Sequence, residues 1–158
     1  MFTNTGHLVS LFENATEGIV ITNRQGMIIM VNPAAARMFG YDAIDLAGKQ
    51  LEVLIPDRYH HHHHELREGF YKQPSNRSMG QNRDLYGRKK DGSDLAVEVS
   101  LSHYRFDEEL FVIAFIIDIT RRKEIEANMV KQQKNWKKSA ARSAASMQNW
   151  KPRWRKEP

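Results

Sequence analysis

Five consecutive histidines, His60 to His64, are the densest run of chemistry-bearing side chains in this sequence. An imidazole can ligate a metal, move a proton near neutral pH, or sit in a core as a neutral hydrogen-bonding group. The run follows Pro56, and the spacing predicts a helix opened by that proline and continuing to about Tyr71. Tyr59, Leu66 and Phe70 recur at i, i+7 and i+11, and His63 falls on the same stripe. His63 is therefore expected to face inward, with His60, His61, His62 and His64 outward or flanking. Blander readings compete. The run can be a solvated polar stretch, or a surface metal site formed by His60 and His64 at i, i+4. An expression tag fits poorly, because the run is internal. An inward histidine is more often a hydrogen-bonded core residue than a ligand. No acid–base pair or nucleophile constellation accompanies the run, so an enzyme is the least expected class.

Other elements must position that helix. Residues 5–16 resemble a short amphipathic lead-in with Leu8, Leu11, Phe12 and Ala15 on one face. Gly18 to Thr22 and Met27 to Val31 form a hairpin across Asn23-Arg24-Gln25-Gly26. Asn32-Pro33 starts a helix that Gly40 ends, and Asp42 and Gly48 bracket a shorter one. Residues 72–82 are expected to be loop. Three strands follow: Arg83 to Arg88, Leu95 to Tyr104 and Leu110 to Ile119. Asp91-Gly92 turns the first pair and Phe106 to Glu109 the second. Leu95, Val97, Val99 and Leu101 alternate with Ala96, Glu98, Ser100 and Ser102, so one sheet face is buried. The order strand–strand, helices, three strands is α+β. Arg121 to Lys138 then continues as a polar helix.

The chain has 158 residues, 41% hydrophobic and 27% charged, as a soluble domain with an appendage would have. The apolar run Leu110 to Ile117 is too short to cross a bilayer, and the first ten residues hold no signal-peptide core. With no cysteine, there is no disulfide, thiolate metal site or flavin–cysteine adduct. A cytoplasmic location is expected. Residues 1–130 carry 15 Lys/Arg against 18 Asp/Glu, whereas residues 131–158 carry nine against one. The tail also holds all three tryptophans, Trp136, Trp150 and Trp154.

Several segments in order resemble the PAS family of sensory domains. They are Glu17 to Asn23, Val31-Asn32-Pro33-Ala34-Ala35, Phe39-Gly40-Tyr41 with Gly48-Lys49, Arg88-Lys89-Lys90-Asp91-Gly92-Ser93, and Asp118-Ile119-Thr120 at the exit. The resemblance covers about residues 8 to 125. It implies a five-stranded antiparallel sheet with helices on one face and a C-terminal exit helix. It also implies a regulatory role without a catalytic core. A small ligand or partner is bound between helices and sheet, and the change passes along the exit helix to an output such as a histidine kinase in a two-component phosphorelay. The corresponding division is a helical lead-in at 1–16, the PAS domain at 17–120, an exit helix at 121–134 and a basic tail at 135–158. Homodimerisation is expected through residues 5–16 and 121–134.

The histidine helix resembles that of oxygen-sensing FixL-type kinases in particular. There, a haem-ligating histidine lies seven residues after a proline with an aromatic between, as Pro56, Tyr59 and His63 do here. A distal arginine follows twenty residues later in a Gly-x-x-Arg segment, matched by Gly80 to Arg83. The resemblance thus implies His63 as the haem-iron ligand and Arg83 as a donor to bound oxygen. Tyr59, Leu66, Phe70, Val99 and Leu101 would line the site. Gly69 stands where those sensors have a propionate-pairing arginine, for which Arg67 or Arg58 would have to substitute. The alternative is a ligand-free dimerisation module whose interior is filled by Met30, Met38, Leu54, Phe70 and Phe115.

The tail has two readings. Asn-Trp-Lys occurs at 135–137 and 149–151, and one base earlier each such codon triplet encodes Lys or Glu, then Leu, then Glu. The shadow leucines fall two heptads apart, as in coiled-coil linkers before kinase cores. A base change near Lys134 would then have shifted the frame, leaving 135–158 disordered or irregularly helical. The competing reading is a real basic, aromatic tail that binds nucleic acid or an anionic membrane. Within the main reading neither nucleic acid nor membrane insertion is expected.

Overall fold

The computed structural model describes residues 4–79 and 85–154. In chain order the elements are α1 (Asn4–Asn14), β1 (Gly18–Thr22), β2 (Ile28–Val31), α2 (Pro33–Phe39), α3 (Ala43–Leu46), α4 (His60–Lys72), β3 (Arg77–Met79), β4 (Leu85–Arg88), β5 (Asp94–Phe106), β6 (Glu109–Asp118) and α5 (Thr120–Gln148). Residues up to Thr120 form one unit and those from Arg121 a second.

The sheet is antiparallel throughout, in the order β2-β1-β6-β5-β3, with β4 also on β5. β3 pairs Arg77 to Met79 with Leu101 to Val99, and β4 pairs Leu85 to Arg88 with Val97 to Asp94. The two lie end to end on the same edge of β5, so the sheet has five strand positions. This is the expected α+β fold. Its inner face carries Val20, Leu95, Val97 and Ile116, packed with Ala35, Ala36 and Phe39 of α2 and Leu46 of α3. The alternation written into residues 95–101 thus decides which face is core.

Asn32 fixes the start of α2. It is fully buried and all of its side-chain polarity is used. Its Oδ1 accepts from Ala35 N (3.0 Å) and Ile19 N (2.8 Å), and its Nδ2 donates to Glu17 O (3.0 Å) and Phe12 O (3.3 Å). One side chain therefore caps α2, pins β1 and ties down the end of α1. Gly40 closes α2 in the left-handed region at φ +74°.

Three elements differ from expectation. The helix after Pro56 begins at His60, because Pro56 keeps an extended ψ of 140° and residues Asp57–Tyr59 form a 3-10 turn. The expected loop at 72–82 contains β3, three residues that the edge of β5 recruits. The helix expected to reach Lys138 runs to Gln148, since residues 139–148 contain four alanines and no Gly or Pro.

Candidate functional site

α4 lies over the part of the molecule where its sequence placed the chemistry, but its inward face is rotated. His63 is turned inward, with its side chain 19% exposed, as are Arg67 at 12% and Phe70 at 4%. Tyr59 and Leu66, expected on the same stripe, stay 37% and 40% exposed. The reason is a carboxylate. Glu52, on the 3-10 turn Leu51–Leu54, presents Oε1 toward α4, and a half-buried carboxylate requires a cation. Arg67 supplies it at 2.6 Å, which turns Leu66, one residue earlier, outward.

The same Glu52 Oε1 lies 3.4 Å from His63 Nδ1. Burial holds the His63 imidazole below its ordinary pKa, and Glu52 opposes the shift. His63 Nδ1 is buried with Glu52 as its polar neighbour, and Arg67 Nε is buried beside it. The Arg67 guanidinium reaches under the β1–β2 turn. A Cβ built on Gly26, whose φ is +76°, would stand 2.1 Å from Arg67 Nη1. Tyr71 Oη donates to Asn23 O (2.7 Å) in the same turn, and burial raises its pKa. Asn23 Oδ1 in turn accepts from Gln25 N and Met27 N. α4 is thus fastened to the hairpin turn at two points one helical turn apart.

The other histidines divide simply. His60 pairs its Nε2 with Ile55 O at 2.7 Å, and His61 lies 3.4 Å from Glu65 at the surface. His62 and His64 are exposed. Among the described residues, no three His, Asp or Glu side chains are grouped to share a metal ion.

On β5, Val99 and Leu101 are half-buried on the inner side. The next position of that parity is His103. Its ring meets Phe70 edge-on at 6.3 Å, and its Nδ1 is buried without a hydrogen bond. Arg77 lies over the Phe70 ring, 5.2 Å from its centroid. His103 and Glu52 were not singled out from sequence. His103 had a signal, since it extends the alternation of 95–101 by one step. Glu52 had none.

Arg83 and the segment Gly80 to Arg83 lie outside the described residues. Of the two arginines considered for a propionate, Arg67 is held by Glu52. Arg58 pairs with Asp94 at 2.6 Å, a contact that raises its pKa. Leu54 and Phe70 are buried, and Met38 packs on the core. Met30 and Phe115 are not interior, because Met30 pairs with Ile21 and Phe115 with Ile19 on the outer side of the sheet. A separate groove of about 420 Å³ is lined by Arg37, Met38, Phe39, Gly40, Lys89, Lys90 and Asp91.

Residues 6–119 match the family model described as the PAS fold. The chain is 21% identical over 127 residues to the sensor protein FixL of Bradyrhizobium diazoefficiens, covering 80% of this chain and 25% of that protein. It is 28% identical over 101 residues to the oxygen sensor protein DosP of Escherichia coli, covering 64% and 13%. With the Escherichia coli signal transduction histidine-protein kinase AtoS it shares 26% over 127 residues, covering 78% and 20%. The chain therefore spans a quarter or less of these relatives. Among solved structures, the PAS domain of an HTR-like protein from Haloarcula marismortui superposes with a TM-score of 0.63 at 22% identity, covering 73% of this chain and 92% of that one. An RNA-binding light-oxygen-voltage receptor gives 0.66 at 18% identity, covering 82% and 37%. These structures speak for the fold alone. The five-position sheet, the Asn32 cap, the α4 cover and the family match over most of the chain agree: the chain belongs to the PAS family, the sensory modules typical of histidine kinases and other sensors.

Proposed function

We propose that this domain senses a small ligand held between α4 and the inner face of β5, and that it relays occupancy through α5 to an output module such as a histidine kinase. The observation that carries the reading is the inward pair His63 and Arg67 around Glu52. Both cationic side chains converge on one well-covered carboxylate, Arg67 at 2.6 Å and His63 at 3.4 Å. Such a polar cluster under a helix is more than an apolar core needs for stability. On this reading the domain regulates by binding, the role typical of the PAS module.

Haem is the ligand to test first. His63 would hold the iron through its imidazole, with Glu52 beside Nδ1 to orient the ring. Phe70, Val99 and Leu101 would supply apolar wall. Bound haem supplies a gas-binding iron. The donor set fits. The propionate clamp is the weak point, because Gly69 offers no charge and Arg67 and Arg58 are already paired. Arg83 would complete the distal side. The test is an absorption spectrum of the purified chain with added haemin, beside His63→Ala. A sharp Soret band that responds to carbon monoxide and is lost in the variant supports the reading. A free-haemin spectrum in both refutes haem and leaves His63 as a buried relay to Glu52.

A second reading, a dimerisation module, has its own observation. α1 buries none of its residues, and Leu8 and Leu11 are exposed. The outer sheet face also exposes Met30 and Ile117. A second copy placing α1 on that face would cover both surfaces. Analytical ultracentrifugation of the chain and of a Leu8→Asp, Leu11→Asp variant decides it. A dimer that becomes monomeric supports this reading, and a monomer in both removes it.

A further inference from the structure

The helix α5 has a pattern that neither sensing nor an output linker requires. All of its residues from Glu124 to Gln148 are exposed. At about 100° per residue, Ile125, Met129, Trp136, Ala140 and Met147 fall in one sector of about 60°. Lys131, Lys134, Lys137, Lys138 and Arg142 fall on the far side. The apolar sector crosses the change of composition near Lys131 without a break in phase. Beyond the helix, Trp150 and Trp154 are exposed among Lys151 and Arg153. Residues 131–158 carry nine Lys/Arg against one acid.

Three kinds of occupant could cover such a face. A second α5 in a coiled coil needs an unbroken seam, and Gln132 and Ser143 stand in this one beside the bulk of Trp136. Nucleic acid would use the lysines but has no use for a sector of Met, Ile and Trp on the opposite side. A bilayer surface uses both. Lysines meet anionic headgroups, tryptophan settles at headgroup level, and the apolar sector enters the acyl boundary. Among the described residues no helix is long and apolar enough to cross a membrane, so this is attachment along the surface.

We infer that α5 and residues 149–154 form an amphipathic surface that docks on anionic phospholipid bilayers. The lipid charge is complementary to the lysine face, and Trp136 and Met147 bury into the interface.

The sequence provides its own reporter. All three tryptophans lie in this segment, so intrinsic fluorescence reads it alone. The full chain is titrated with vesicles of phosphatidylcholine containing about one third phosphatidylserine, and with pure phosphatidylcholine. A blue shift with the anionic vesicles only, reversed by about 0.5 M salt, is expected. The variant K134E/K137E/K138E should partition at least about tenfold more weakly, and Trp136→Ser should lose most of the blue shift. Far-UV circular dichroism confirms that both variants keep their helix. No shift, or an equal shift with neutral vesicles, overturns the proposal. So does a stronger response to duplex DNA than to anionic vesicles. Resequencing that finds a kinase core in the shifted frame would remove the segment from the protein, and the proposal with it.

Discussion

Replacing Gly26 by alanine should disturb α4, though the two are far apart in sequence. Two costs add. Gly26 sits at φ +76°, where an L side chain costs about 1 kcal/mol. Its new Cβ would also stand 2.1 Å from Arg67 Nη1, the nitrogen that donates to Glu52 Oε1 at 2.6 Å. The guanidinium is a flexible end and can move, but only by leaving Glu52. A hydrogen bond between charged groups contributes about 1.5–3 kcal/mol, and both side chains are well covered, so the displacement should cost about 2 kcal/mol. Gly26→Ala should therefore destabilise by about 3 kcal/mol in the native background. In a background of Arg67→Met and Glu52→Gln, where no ion pair remains to displace, the same change should cost only about 1 kcal/mol. The assay is urea denaturation followed by far-UV circular dichroism for the four chains, with m-values compared to exclude changes in the unfolded state. Equal costs in both backgrounds would refute the argument, since Gly26 would then matter only for its backbone.

Three further outcomes follow from other parts of the structure. Asn32→Asp keeps both acceptor bonds but points oxygen at the carbonyls of Glu17 and Phe12, so it should destabilise by about 2–4 kcal/mol in the same denaturation assay, more than a cap substitution alone. The pKa of His63 is depressed in the folded state, so below the ordinary imidazole value the unfolded chain binds more protons. Stability is then fully present above about pH 6.5 and falls as pH drops below it; chemical denaturation between pH 5 and 8, roughly the imidazole range, should show this slope reduced in His63→Gln. Asp107 and Glu108 turn the β5–β6 hairpin at φ +47° and +66°. Glu108→Gly should raise the thermal midpoint, by about 0.5–1 kcal/mol of stability.

Most of the fold was legible because its signals are local. Asn32-Pro33 and Gly40 bound α2 as a cap and a stop, Asp91-Gly92 makes the β4–β5 turn, and the alternation of 95–101 marks the inner face. The strand that was missed, β3, had the weakest local signal. β3 is two polar residues and a methionine, and it is a strand only because β5 is longer than β4 and offers unpaired backbone.

The site was half legible, for a physical reason that also sets its chemistry. Periodicity finds which residues share a helix face, and it found His63 and Phe70. It cannot find which way the face turns when two stripes compete. The apolar stripe of Tyr59 and Leu66 lost to Arg67 because Glu52 approaches from a different element, and a carboxylate turned inward costs more than two exposed apolar side chains contribute. His63 follows Arg67 into the same corner. An imidazole placed by apolar packing would be indifferent to charge. One placed beside a shared carboxylate is coupled to it, so any ligand that takes hold of His63 also loosens or tightens the Glu52–Arg67 pair. That pair touches the hairpin turn at Gly26, and Tyr71 holds the same turn at Asn23. On the proposed function, occupancy beneath α4 is therefore expected to reach the β1–β2 turn first. β1 lies against β6, the strand that leads to Asp118 and the start of α5. On the proposed function, a ligand would act on the exit helix through the sheet: hydrogen exchange at the β1 and β6 amides should change when haemin is added, and unchanged exchange there would refute the route.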